Sequence, residues 1–262
     1  QTIGTTITAT LACTIFVMIL GPKITSPVMS MLDTPKDIFD MACDYMLILF
    51  LGFIGSAFYN VISGVLRGLG DSIMPLVFLL TACILNIGLD IWFVAGFKMG
   101  VAGAAWATIV SQFISGVLCM VRLLKMREHF TVTLRTLWPK VSFVKRLCKL
   151  GLPSGLTQAI FSLAMIVVQN LTNSFGTAVL AANTVVMRVD GFAMMPNFTF
   201  GSAMTTYTGQ NMGAGRLDRT EKGAKSGLIM GVSVSVVLVG LILLFGKYLM
   251  LMFTDTPEVI RL

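Results

Sequence analysis

The chain has 262 residues, 56% of them hydrophobic and 12% charged, with a mean hydropathy of +0.88. So apolar a composition excludes an ordinary soluble globular domain, because most of these side chains need a solvent other than water. The net charge of +7 raises nucleic acid as a partner, but the basic residues lack interleaved aromatics and cluster between apolar blocks, so membrane topology explains them better.

Those apolar blocks recur at about 20 to 30 residues each, the length a helix needs to cross the hydrocarbon. In chain order the predicted spans are 5–32, 40–66, 72–97, 101–124, 148–173, 178–207 and 224–253. The first residues, Gln1-Thr2-Ile3-Gly4, lack an initiator Met, and the apolar run to Leu20 is too long for a signal-peptide core. The sequence therefore reads as a piece of a longer all-α, polytopic membrane protein. Its expected organisation is four spans in residues 1–125, a basic cytoplasmic linker in 126–147, and three spans in 148–262.

The connections after the second, fourth and sixth spans hold Arg67, then Arg122, Lys125, Arg127, Arg135, Lys140, Lys145, Arg146 and Lys149, then Arg216, Arg219, Lys222 and Lys225. The opposite connections and outer ends carry only Lys23, Lys36, Lys98, Lys247 and Arg261. The positive-inside bias places the first group in the cytoplasm, with the chain in a bacterial inner membrane. Arg188 falls inside the sixth span. Cys13, Cys43, Cys83, Cys119 and Cys148 lie far apart with no CxxC or Cys/His spacing, so they are expected to be small buried hydrophobes, and no structural metal is expected. His129 sits in the basic linker with no candidate partner.

Two stretches resemble each other: Met31-Leu32-Asp33-Thr34-Pro35 closes the first span, and Met252-Phe253-Thr254-Asp255-Thr256-Pro257 closes the seventh. Six spans between them return the chain to the same side in the same direction. That spacing predicts a parallel six-span repeat and twelve spans in all, an architecture of transporters with the substrate site between the halves.

Three motifs follow in order: RGLGDSxxP at 67–75, Asn86-xxx-Asp90-xx-Phe93 followed by GVAGAAWAT at 100–108, and GQNMGAGR at 209–216. Together they resemble the multidrug and toxic compound extrusion family. The resemblance covers the whole chain as the third to ninth of twelve spans in two six-helix bundles. It implies a secondary antiporter that exports organic, cationic or amphipathic drugs in exchange for H⁺ or Na⁺ by alternating access, without a cofactor and as a monomer. Relatives that flip lipid-linked precursors share the architecture.

Asp90 is the only carboxylate inside the third span, about 10 Å from its outer end by helical rise. Asn86 lies one helical turn earlier on the same face, so the two can share a cation or a proton. Thr108 sits at matching depth in the fourth span, within reach of that carboxylate. The resemblance implies that Asn86, Asp90 and Thr108 form an amino-terminal cation site, with transient Na⁺ at Asp90 and Asn86, completed by an acid on a first span that this sequence lacks. The alternative is that Asp90 is solvated near the interface while Asn86 and Thr108 bond to backbone.

Arg188, Asp190 and Asn197 in the sixth span, and Gln158, Gln169 and Asn170 in the fifth, are polar groups suited to lining a substrate cavity or to joining helices. Many family members carry a glutamate eight residues after the Gly-Leu-Pro proline, but here that position is Phe161. The 18 Met and 18 Phe offer a soft wall for hydrophobic cations, although most are expected to face lipid or pack. Gly103-Ala104-Ala105 permits close helix approach, and Pro153 and Pro196 are candidate kinks. No HExxH, GxSxG or paired-aspartate motif supports an enzyme. A non-transport helical membrane protein and a lipid-precursor flippase stand as the alternatives.

Overall fold

The computed structural model describes residues 2–31, 34–126 and 138–251. Among them the regular structure is helical: α1 Thr2–Met31, α2 Lys36–Leu51, α3 Phe53–Gly68, α4 Ile73–Asp90 continuing as a π-helical turn Ile91–Gly96, α5 Gly100–Lys125, α6 Val141–Ser174, α7 Thr177–Gly213 and α8 Leu217–Leu251. Five helical segments are long and apolar enough to cross a membrane, and α2 with α3, bent by 44°, makes a sixth. Helix α7 has 37 residues, ample length, but Asn183, Arg188 and Asp190 dilute its apolar character. All-helical spans are what a bilayer demands, since lipid offers backbone N–H and C=O groups no partner.

The chain divides into two compact units, Gln1–Leu150 and Gly151–Leu262. The linker stretch 127–137, with Arg127, His129 and Arg135, lies outside the described residues. So do Leu32 and Asp33 of the first DTP stretch and the whole second stretch from Met252.

In the first unit, α3 and α5 pack against each other, flanked by α1 and α4. Its core gathers Ile7, Tyr59, Ile62, Leu66, Cys119 and Leu123. The other buried positions are mostly small, with Ala82, Ala105 and Ala107 beside the hydroxylated Thr5, Thr14, Ser63, Ser111 and Ser115. Ser115 Oγ donates to the Phe78 carbonyl at 3.0 Å and Tyr59 Oη to the Pro75 carbonyl at 3.1 Å, so α4 is hydrogen-bonded to both α5 and α3. Large apolar side chains, Phe16, Ile84 and Trp92 among them, stand outward. Small residues inside and bulky ones outside is the arrangement expected where lipid is as apolar as leucine and helices associate by close packing.

The break between α2 and α3 falls at Gly52, where a Cβ would collide with the Ile109 side chain of α5. In the second unit α7 packs on α8, and the glycines at 223 and 227 receive Tyr207 and Met204. Pro153 and Pro196 lie within the continuous helices α6 and α7.

The cysteines differ from expectation. Only Cys119 is buried, Cys43 is half-buried, and Cys13, Cys83 and Cys148 are exposed. A thiol is a small apolar group, and on a lipid-facing helix surface it does not need a protein interior.

Candidate ion and substrate sites

Asn86 and Asp90 occupy the last turns of α4, where the chain passes directly into the π-helical turn Ile91–Gly96. The wider turn carries Phe97 N–H to the Trp92 carbonyl at 3.0 Å and Met99 N–H to the Phe93 carbonyl at 3.1 Å. Such wide turns recur at functional sites because they displace side chains from the regular helical stack. Trp92, Phe93 and Phe97 cluster on it, with the Trp92 and Phe97 rings 5.2 Å apart. Its packing against α5 depends on Gly103, where a Cβ would stand 3.1 Å from the Phe93 carbonyl carbon and 3.0 Å from Met99 Cβ.

Asn86 Nδ2 and Asp90 Oδ1 are both buried and have no hydrogen-bond partner. One is a donor and the other an acceptor, and each unmade bond costs about 1–3 kcal/mol. Thr108 does not relieve Asp90 Oδ1, because its hydroxyl donates to the Ala104 carbonyl of its own helix at 3.0 Å. Its oxygen lone pairs remain able to accept or to ligate. The structure therefore sets two orphaned polar atoms on successive turns of one helix face. As placed, the Asn86 amide presents a donor, the complement of a bare carboxylate oxygen. A half-rotation, which exchanges its nearly isosteric N and O atoms, presents an oxygen instead, able to accept from a proton on the carboxyl or to ligate a hard cation.

The other end of the α4–α5 hairpin is fixed by a residue in the RGLGDSxxP motif. Asp71 Oδ2 pairs with Arg122 Nε at 2.8 Å, and Asp71 Oδ1 accepts the Met74 N–H at 3.2 Å in the first turn of α4. The loop reaching Asp71 is a helix stop of Schellman type: Asp71 N–H bonds to the Leu66 carbonyl and Gly70 N–H to the Arg67 carbonyl, with Gly70 at φ +99°. The GQNMGAGR loop repeats that geometry. Arg216 N–H bonds to the Asn211 carbonyl and Gly215 N–H to the Met212 carbonyl, with Gly215 at φ +70°. The second glycine of Gly-x-Gly in both motifs, Gly70 and Gly215, is thus explained by the helix end each must make.

Of the polar candidates in the second unit, Asn197 lines an open groove of about 1090 Å³ between α7 and α8. Its Oδ1 accepts a hydrogen bond from Ser235 Oγ at 3.0 Å. Around that pair the walls are glycine, threonine and apolar side chains: Gly201, Met204, Thr205, Gly231 and Val236. Asp190 borders a separate hollow of about 230 Å³ with Val186, Val189 and Ile242. Arg188 is exposed and borders neither, and Gln158, Gln169 and Asn170 stand exposed on α6 away from both. Phe161 is also exposed.

Sequence reasoning named Asn86, Asp90 and Thr108 as candidates but did not foresee the π-helical turn, the Asp71–Arg122 pair or Ser235 opposite Asn197. Arg122 counted there only as one of many loop cations. Its partner lies 51 positions away, so no local pattern signals it. Two serines, Ser233 and Ser235, in the otherwise apolar run 228–245 of α8 were the available cue to Ser235.

The MatE family model matches residues 1–92 and 153–262. Among curated relatives, "Probable multidrug resistance protein YpnP" of Bacillus subtilis is 33% identical over 231 residues, 88% of this chain and 51% of that protein. "Probable multidrug resistance protein NorM" of Thermotoga maritima is 30% identical over 84% of this chain and 48% of its own length. The chain thus spans about half the length of these relatives. Of solved structures, a MOP superfamily transporter from Pyrococcus furiosus superposes with TM-score 0.89 at 24% identity, over 99% of this chain and 58% of that one. An outward-facing multidrug resistance MATE family transporter gives 0.88 at 24% identity, over 99% and 58%; at this identity these two likenesses concern the fold alone. With the family model matched over most of its length, the chain belongs to the MatE family and is a multi-pass, all-α membrane protein.

Proposed function

We propose that the protein is a secondary active antiporter that moves organic cations or amphipathic drugs out of a bacterial cell, drawing on H⁺ or Na⁺ entry through alternating access. The observation that carries this reading is the pair of buried, unpartnered atoms Asn86 Nδ2 and Asp90 Oδ1 beside a π-helical turn. A buried carboxylate oxygen without a partner is satisfied when a proton or a cation joins it. An ion bound there in one conformation and released in another shifts the equilibrium between the two, which is the energetic content of coupling.

Asn86 and Asp90 hold the ion, with Thr108 offering its oxygen from α5. The α7–α8 groove with Asn197 and Ser235 forms part of the substrate path, its Met204 and glycine walls suited to varied apolar bodies. The basic connections face the cytoplasm, the protein works as a monomer in the inner membrane, and it needs no cofactor and performs no covalent chemistry. The multidrug resistance names of its relatives support drugs over lipid-linked precursors.

The site is tested by leaving Trp92, two residues from Asp90, as the single tryptophan and following its emission in purified protein. A saturable change on adding Na⁺ or on acidification, absent in Asp90→Asn, supports the coupling site. Wild-type emission indifferent to both ions sinks it.

A further inference from the structure

We infer that the stretch from Trp138 to Leu150 is a binding surface for anionic phospholipid headgroups. Helix α6 has 34 residues, about 51 Å at 1.5 Å per residue, whereas the hydrocarbon needs only about 30 Å. Its part from 151 to 174 has no charged residue and is long enough to span by itself. The surplus lies at the start, where the sequence reads Val-Ser-Phe-Val-Lys-Arg-Leu-Cys-Lys-Leu.

At 100° per residue, Ser142, Lys145, Arg146 and Lys149 share one face of that surplus, while Phe143, Val144 and Leu147 share the other. The structure keeps this division: the basic face is exposed and Phe143, Val144 and Leu147 are half-buried. Trp138, 78% exposed just ahead of the helix, is the aromatic type that settles at headgroup level. Just ahead of the helix, the Lys140 N–H donates to the buried Thr5 Oγ1 of α1 at 3.4 Å.

Charge complementarity selects the partner. The sequence from 129 to 189 contains no Asp or Glu, so no acid within that stretch neutralises the stripe. A basic amphipathic helix whose apolar side is half-buried and which runs directly into a membrane span meets lipid phosphates before any other anion. Such an anchor fixes the depth at which α6 enters the membrane.

The test uses the purified protein in neutral detergent, exchanged with equal phosphatidylcholine and phosphatidylglycerol, with the retained lipids counted after gel filtration. Wild type is expected to enrich phosphatidylglycerol, with the enrichment weakening at about 0.5 M salt. Lys145→Gln/Arg146→Gln/Lys149→Gln is expected to weaken phosphatidylglycerol retention at least tenfold, each lost charge being worth about fivefold near a surface. Lys145→Arg/Lys149→Arg retains it, as does the comparator Arg219→Gln/Lys222→Gln/Lys225→Gln. Circular dichroism confirms that each variant is folded, and if the triple variant is not, Lys149→Gln alone is read for the same loss. Unchanged enrichment in the stripe variant overturns the inference, as does equal loss in the comparator or displacement of the lipid by inorganic phosphate.

Discussion

Asp71→Ala removes two interactions at once, the 2.8 Å ion pair with Arg122 and the 3.2 Å acceptor for the first turn of α4. The carboxylate side chain is only 12% exposed but its partner is 38% exposed, so solvent screening holds the pair to about 1 kcal/mol. The lost cap adds about 1 kcal/mol. The sum of about 2 kcal/mol is read out at Cys119, a fully buried thiol one turn from Arg122 on α5. With the other four cysteines replaced by serine, local opening governs how fast a maleimide reaches it. Asp71→Ala is expected to accelerate labelling about thirty-fold, since 1.4 kcal/mol is a factor of ten. Asp71→Asn keeps the cap oxygen and loses the charge, so about fivefold is expected. Adding Arg122→Gln to Asp71→Asn should cost little more, because the pair is already broken. Labelling of Asp71→Ala at the wild-type rate would refute the reasoning that this pair holds the hairpin's end.

Gly103→Ala places a methyl 3.1 Å from the Phe93 backbone, so a loss of about 1–3 kcal/mol is expected in thermal melts. Gly215→Ala forces a side chain to φ +70° in its loop and should cost about 1 kcal/mol. Gly191→Ala meets nothing within 4 Å in the middle of α7 and should be neutral or stabilising by up to about 1 kcal/mol. Equal melting shifts for the last two would contradict the assignment of Gly215 to a left-handed helix stop. Gly231→Phe has room for its Cβ yet fills the α7–α8 groove. It is expected to lower dye binding at least tenfold while leaving the ion response of Trp92 intact, and undiminished dye binding would remove the groove from the substrate path.

The spans were legible because the bilayer imposes one simple rule on sequence. The predicted 72–97 and 101–124 differ by a residue or so from the observed Ile73–Gly96 and Gly100–Lys125. The break at Gly52 was not legible, since its apolar run continues unbroken and the Ile109 side chain that leaves no room for a Cβ there comes from a helix far along the chain. The start of α6 was placed at 148 rather than Val141 because Lys145, Arg146 and Lys149 end the hydropathy signal while the helical periodicity continues through them. Asp90 stood out because one carboxylate in an apolar run is costly. That its Oδ1 is orphaned while Thr108 spends its proton on Ala104 depends on rotamers and packing, which spacing does not encode. The π-helical turn likewise packs Phe93 and Met99 against Gly103, a contact with no periodic signature.

Whether Asp90 couples ion entry to export is decided by dye efflux from proteoliposomes under an imposed proton gradient and then an imposed sodium gradient, comparing wild type with Asp90→Asn. The account predicts that one gradient drives efflux in wild type and neither does in Asp90→Asn, with dye binding retained in both. Gradient-driven efflux by Asp90→Asn at the wild-type rate would contradict it, and a wild type that moves no organic cation under either gradient would turn attention to lipid-linked precursors.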